Sequence, residues 1–394
     1  MNRSDRRSFL QGSAAAGVLA ALGGARLAFA AAPTESRLVF ILLRGGLDGL
    51  HALPPYGDAD YQALRPRLAL GAPGTEGGAI ALDGHFGLHP ALAPLHPLYA
   101  ARELLFIPAA STRYRRRSHF DGQNMLENGS ERPFGARDGW LNRALGSLGD
   151  GARGLSIGPA VPLILQGEAR IRTWSAGSLP KADDDFLQRL AAIYEGDALF
   201  ARAFETARGA AAPAVAGMTD VPARNRSFVT AARASADLLA AADGPRVAVM
   251  DANGWDTHFL QERRLSVLLG DLAQAVLALR SGLGAHWART AVIVVSEFGR
   301  AVAENGSQGT DHGVGGLAML AGGAVQGGRI AGRWPGLSAG ALHEGRDLRV
   351  TSHYESIFKA ALGTRLGIRE SILEETVFPQ SREAPPMEDL FRTA

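Results

Sequence analysis

Two short segments carry residue types that bind metal ions. "GWDTH" sets Asp256 and His258 two positions apart, and "TDHG" follows with Asp311 and His312. In an extended turn, residues two apart can point at one ion. A carboxylate with two imidazoles (Asp256, His258, His312) suits zinc or another borderline divalent cation. Asp48 follows "RLVFILLRGG" and Glu297 lies in "VSEFGR". These two offer oxygen only and suit a second, harder ion such as magnesium, calcium or manganese. Two ions about 4 Å apart would stabilise both attacking and leaving oxygens in an in-line displacement. Plainer readings stand beside these. Asp48 before Gly49 is also a turn former. Asp256 could cap the helix that follows, and His312 could be an ordinary loop histidine.

"RYRRRSHFDGQ" adds a candidate nucleophile. Ser118 sits where a helix would begin, after Arg113, Arg115, Arg116 and Arg117. A serine there commonly caps the helix, but a helix N-terminus also attracts anions. A metal ion beside the hydroxyl would activate it. The arginine fork matches phosphate or sulfate oxygens, and Arg117 or a neighbour is the candidate anion ligand. His119 is open between ligand, proton donor and core residue.

The elements that must position these residues are apolar runs. Leu38–Leu43, "LLFIPA", "VAVM", "AVIVV" and "GLAMLA" read as strands covered on both faces, because they do not alternate. Polar candidates follow four of them: Asp48; Ser118 and His119; Asp251, Asp256 and His258; and Glu297 with Asp311 and His312. Sites in open α/β sheets gather at such strand ends. Helical periodicity marks 139–148, 181–209, 222–242, 258–282 and 352–362, with short strands around 155–157 and 163–165. Residues 71–87 read as an irregular loop, and the tail from about Val377 is ordered where its apolar residues dock. Strands alternating with helices predict an α/β fold, a three-layer sandwich with a mostly parallel central sheet.

The chain has 394 residues, 46% hydrophobic and 20% charged, with 10 His and no Cys. Disulfides, thiolate metal sites and a cysteine nucleophile are excluded. "SDRRSFLQG" carries Arg6 and Arg7 ahead of a short Ala/Gly-rich apolar run and an Ala28-Phe29-Ala30 cleavage context. This reads as a Tat signal over residues 1–30, implying the Tat translocase as a partner and a periplasmic or secreted product. The run is short for a membrane span, and no later stretch reads as one. Residues 31–394 read as a single domain. Without residues 1–30 the chain holds 37 basic and 38 acidic residues, net −1. That balance gives no reason to expect nucleic-acid binding. There is no dinucleotide fingerprint in a strand–helix context and no Walker A lysine.

"LLRGGLDGL", "RSHFDGQ", "GWDTH" and "SEFGR" followed by "GTDHG", in this order, resemble the bacterial exported domain-of-unknown-function family 1501, grouped with the alkaline phosphatase and sulfatase superfamily. The resemblance covers nearly all of the chain beyond the signal and implies an alkaline-phosphatase-like fold. It also implies a metal-dependent hydrolase of phosphate or sulfate esters, acting on a small-molecule or glycan anionic ester. It places a metal carboxylate on Asp48, the nucleophile on Ser118, an Asp and His pair on Asp256 and His258, and a last histidine on His312. The superfamily's Asp-His pair would fall on Glu297 and Phe298, and here the sequence departs from the pattern. Phe298 deprives a second ion of its imidazole. The competing expectation is therefore a degenerate site on the same fold, in a binding or cell-envelope protein.

Overall fold

The computed structural model describes residues 34–149, 154–158, 160–175, 226–242 and 244–393. The signal segment and the helical stretch expected at 181–209 lie outside the described residues. Eleven strands are β1 (Arg37–Arg44), β2 (Ile80–Ala81), β3 (Gly87–Leu88), β4 (Leu104–Ser111), β5 (Gly154–Ile157), β6 (Ile171–Trp174), β7 (Val247–Asn253), β8 (Thr290–Ser296), β9 (Gly316–Ala321), β10 (Arg329–Ile330) and β11 (Ser352–His353). The main sheet runs β10-β4-β9-β8-β1-β7-β5-β6, with β11 beside β4. Its pairings are parallel except that β9 runs antiparallel to both β4 and β8.

The non-alternating strands are buried on both faces. In β1, Leu38, Phe40 and Leu42 enter one core while Val39, Ile41 and Leu43 enter another, following the two-residue period of a strand. The first core is completed by helices Trp140–Ser147 and Tyr354–Leu366, where the Trp140 and Phe358 rings stack at 4.7 Å. The second is completed by helix Arg226–Ala240 and the long helix Gln261–Leu283. A three-layer α/β sandwich results, as the alternating pattern predicts. The 261–289 helical segment is long and apolar enough to cross a membrane by composition alone. Its Leu265, Leu269, Leu272, Val276 and Leu279 are instead buried on the sheet, each removing apolar surface worth roughly 1.5–3 kcal/mol.

Local differences from the sequence expectations have physical causes. Leu163–Leu165 is a 3-10 turn rather than a strand. Pro162 fixes the entry, and Leu165 N and Gln166 N bond back three residues to Pro162 and Leu163, which is 3-10 geometry. The 71–87 loop includes the small β2–β3 hairpin. The long helix starts at Gln261, with Leu260 at its cap, so Asp256 is not its cap.

The topology brings the chemistry to one edge. Strands β1, β7 and β8 are mutually parallel, and β4 is antiparallel to β9, which is antiparallel to β8. The carboxyl ends of β1, β4, β7 and β8 and the amino end of β9 therefore share an edge. Segments from these ends carry Asp48, Ser118, His119, Asp256, His258, Glu297 and His312.

Candidate metal centre

Four side chains meet beyond that edge. His119 Nε2 lies 2.9 Å from His312 Nε2 and 3.5 Å from Asp256 Oδ2. His312 Nε2 is 3.1 Å from Asp256 Oδ1. Donor atoms of His119, Asp256 and His312 all lie within 4.8 Å of one another. His258 joins with Nε2 at 2.9 Å from His312 Nε2 and 3.0 Å from Asp256 Oδ1. The centre opens on the Asp256 and His258 side, where side chains are 44% and 39% exposed against 24% for His119 and His312.

The opposite nitrogens identify the proton positions. His119 Nδ1 faces Glu297 Oε1 at 2.7 Å, His312 Nδ1 faces the Arg117 carbonyl at 3.0 Å, and His258 Nδ1 faces Asp311 Oδ1 at 3.4 Å. Each partner is an acceptor, so each Nδ1 carries hydrogen. In the neutral rings the Nε2 lone pairs then point at one another and at the Asp256 carboxylate. Such a gathering of acceptors is repulsive without a cation among them. Ligand atoms about 2.0–2.1 Å from a tetrahedral ion lie about 3.3 Å apart, and the close contacts here bracket that spacing. A histidine with one nitrogen on the metal and the other on a carboxylate or carbonyl is the usual arrangement of such ligands. The donor set therefore fits a borderline divalent ion.

The local backbone is shaped for this. Gly45 has φ 124, and a Cβ there would lie 2.4 Å from the Asp256 amide nitrogen, so only glycine lets the end of β1 approach the Asp256 loop. The Gly45 and Gly46 amides donate to Glu297. Arg117 is held at φ 61, a costly conformation outside glycine, and its carbonyl is the one His312 uses.

Electrostatics follow from these contacts. Burial would raise the Glu297 pKa, but hydrogen bonds from His119, Gln123 and Ser296 hold it below the usual range. The hydrogen bond to Glu297 raises His119 against the effect of desolvation. Burial lowers His312, as does the neighbouring His119. For Asp256, desolvation is outweighed by Arg300, His258 and His119, which keep it ionised to lower pH. Arg300 Nη1 donates to Asp256 Oδ1 at 2.8 Å.

Other sequence candidates fall elsewhere. Glu297 is at the centre as the support of His119 rather than as an oxygen ligand, because its two oxygens take His119, Gln123, Ser296 and the two glycine amides. Asp48 lies apart from the cluster. One oxygen caps Leu50 and His51, and the other takes Arg65 Nη1 and Gln261 Nε2, each at 2.6 Å. Asp251 is paired with Arg44. The Arg117 guanidinium is committed to Asp347 and Glu344, so its contribution at the centre is its carbonyl. In the same run Arg113 meets Glu131 and Glu383, Arg115 meets backbone carbonyls, and Arg116 is exposed. Ser118 is the half-buried N-cap residue of helix His119–Asn128, and its side chain makes no cap hydrogen bond. Phe298 is 1% exposed and lies against the His119 and His312 rings, at 4.8 and 5.3 Å between centroids. It forms an apolar floor with Tyr114 and Met125. Sequence reasoning left His119 open among three roles. The signal that could have placed it is its position one residue beyond a candidate nucleophile at a strand end.

Fold and centre together define an α/β sandwich protein with three histidines and an aspartate gathered at the strand-end edge. The chain belongs to the family described as "Protein of unknown function (DUF1501)", whose model matches residues 107–377. No curated protein matches it. Among solved structures it is similar to a Bacteroides thetaiotaomicron protein denoted 4S-sulf, from a locus for metabolism of multiple glycosaminoglycans. That match has 9% identity and a TM-score of 0.39, over 89% of this chain and 75% of that one. It is similar to the phosphonate monoester hydrolase of Agrobacterium radiobacter, at 13% identity and TM-score 0.35, over 85% and 74%. It is also similar to Ps i-CgsB in complex with k-i-k-neocarrahexaose, at 9% identity and TM-score 0.35, covering 72% of this chain and 65% of that one.

Proposed function

We propose that this chain is an exported, divalent-metal-dependent hydrolase of anionic esters, with phosphate and sulfate esters as the substrate class. The observation that carries the reading is the convergence of three imidazole Nε2 atoms on the Asp256 carboxylate, each ring anchored from behind by an acceptor. His119, Asp256, His258 and His312 would hold one ion, and zinc suits three imidazoles and a carboxylate. A bound ion of this kind supplies Lewis-acid polarisation of an ester oxygen. Ser118, next to His119 at a helix start, is the proposed nucleophile. The exposed Arg116 is the member of its run free to meet a substrate anion, where Arg117 is tied to Asp347 and Glu344. The open side along Asp256 and His258 is the approach for substrate.

The test is turnover of aryl phosphates and aryl sulfates by protein purified without chelator and supplied with zinc, magnesium, calcium or manganese in turn. Turnover that disappears in Ser118→Ala supports the reading. No turnover with any of these metals counts against it. Export is tested by fractionating cells that express the full chain and the Arg6→Lys, Arg7→Lys variant; accumulation of both outside the cytoplasm removes the Tat assignment.

A second reading is a metal-binding protein without catalysis. It is favoured by the guanidinium of Arg300 on Asp256 and by Asp48, whose free oxygen is taken by Arg65. Zinc binding without turnover is its expected outcome.

A further inference from the structure

Beside the candidate centre runs a chain of buried polar side chains whose hydrogen bonds go to groups other than His119, Asp256, His258 and His312. Gln261, the first residue of the long helix, is its junction. Its Nε2 donates to Asp48 Oδ2 at 2.6 Å. Its Oε1 accepts from Thr257 Oγ1 at 2.9 Å and from Thr310 Oγ1 at 2.6 Å. Asp48 Oδ2 also takes Arg65 Nη1, and Arg65 reaches on to the carbonyls of Ala301 and Val302. Gln261, Thr257, Thr310 and Arg65 are 0% exposed and Asp48 is 1% exposed.

The amide can sit only one way round. Asp48 is an acceptor held ionised, with burial outweighed by Arg65, so the Gln261 NH₂ must face it. The carbonyl oxygen is then fixed toward the two threonines, which have hydroxyl hydrogens to give. One side chain thus satisfies a carboxylate and two hydroxyls in a dry interior, where an unmet polar group is costly.

The positions of those threonines give the network its meaning. Thr257 lies between Asp256 and His258. Thr310 lies two residues before His312 and bonds Thr257 O through its amide at 3.3 Å. The Gln261 amide also bonds Gln308 O at 2.8 Å. Two separate loops carry Asp256, His258 and His312, while His119 comes from its own helix, and the same glutamine fastens both loops. Arg65 adds the segment just after Arg300.

The geometry points to Gln261 as a positioning residue that sets the distance between the Asp256–His258 loop and the His312 loop, and so tunes the affinity of the centre for its cation. The inference rests on the metal-binding reading above and goes beyond it, because Gln261 belongs to no ligand set. Loss of a group that orients metal ligands lowers affinity roughly ten- to hundredfold.

The experiment is zinc titration of the full chain by chelator competition, with melting of each variant in excess chelator as a separate readout. Gln261→Met removes the junction. Thr310→Val removes one hydroxyl at constant shape, and Thr310→Ser keeps it. The expected result is zinc affinity at least ten times weaker in Gln261→Met and Thr310→Val, with Thr310→Ser like the parent. If Gln261→Met does not fold, the Thr310 pair decides the matter alone. Equal zinc affinity in Thr310→Val and the parent overturns the inference, as does equal loss in Thr310→Ser and Thr310→Val. Absence of zinc binding in the parent chain removes the metal reading itself, and this inference with it.

Discussion

Glu297 receives the Nδ1 hydrogen of His119 at 2.7 Å, and the opposite nitrogen of that ring lies 2.9 Å from His312 Nε2. A buried carboxylate therefore sets the plane and tautomer of a candidate ligand without itself joining the converging donor atoms. In Glu297→Gln the amide keeps the shape but gives the ring a weaker, neutral acceptor. Zinc affinity is expected to fall roughly ten- to hundredfold, with the ion still bound at saturation. Isothermal titration of both proteins measures this, and equal affinities would contradict the assigned role.

The strands were legible because burial on both faces leaves a local signature, as in "FILL" and "VIVV". The ligand loops were legible because Asp256 and His258 follow β7 closely and His312 lies in the glycine-rich stretch that leads into β9. What escaped was pairing between distant parts of the chain. Nothing near Asp48 announces that Arg65, from a loop, and Gln261, from a helix, will take its free oxygen. Glu297 has the residue type of an oxygen ligand, and only the fold shows that His119 and the Gly45–Gly46 amides occupy it. Leu163–Leu165 misled for a local reason: three apolar residues suit a short strand equally well, and Pro162 decided otherwise.

One ion per chain is the expected stoichiometry. The Asp48 carboxylate is occupied by Arg65 and Gln261, and Phe298 offers an apolar ring where a second ion would need an imidazole. Elemental analysis after zinc loading and gel filtration should give about one equivalent, and His312→Ala should give far less. Two tightly held equivalents would show that oxygen ligands such as Asp48 are recruited after all. Binding should also raise stability with the logarithm of free zinc, by about 2.7 kcal/mol at one hundred times the dissociation constant.

The Asp48–Arg65 pair should be expensive to break from one side. Both side chains are buried, and Arg65→Met leaves the carboxylate with its amide donors alone. Removing one partner of a buried pair typically costs about 3–5 kcal/mol. Urea unfolding in excess chelator should show that loss in Arg65→Met, and Asp48→Asn with Arg65→Met should recover part of it. A single-variant loss within about 0.5 kcal/mol, the range of an ordinary surface change, would mean that the pair is replaceable.

His51 and His89 predict sensitivity to acid. Both are buried, with rings 5.0 Å apart. Burial pushes the His51 pKa down to about 4, with Asp48 opposing and Arg65 assisting, and burial together with His51 pushes His89 down to about 3. His89 Nδ1 accepts from the Ala91 amide, and a proton there would end that bond. The unfolded chain titrates near pH 6.5, so between that pH and the folded values the unfolded state binds more protons. Stability is then fully present above about pH 6.5 and drains as the pH falls toward 4 and 3. The His51 shift alone corresponds to about 3 kcal/mol. His89→Asn keeps an acceptor of similar reach and removes the titration. Urea unfolding from pH 7.5 down to 5 should fall less steeply in His89→Asn than in the parent, and parallel slopes would show that His89 is not one of the groups responsible.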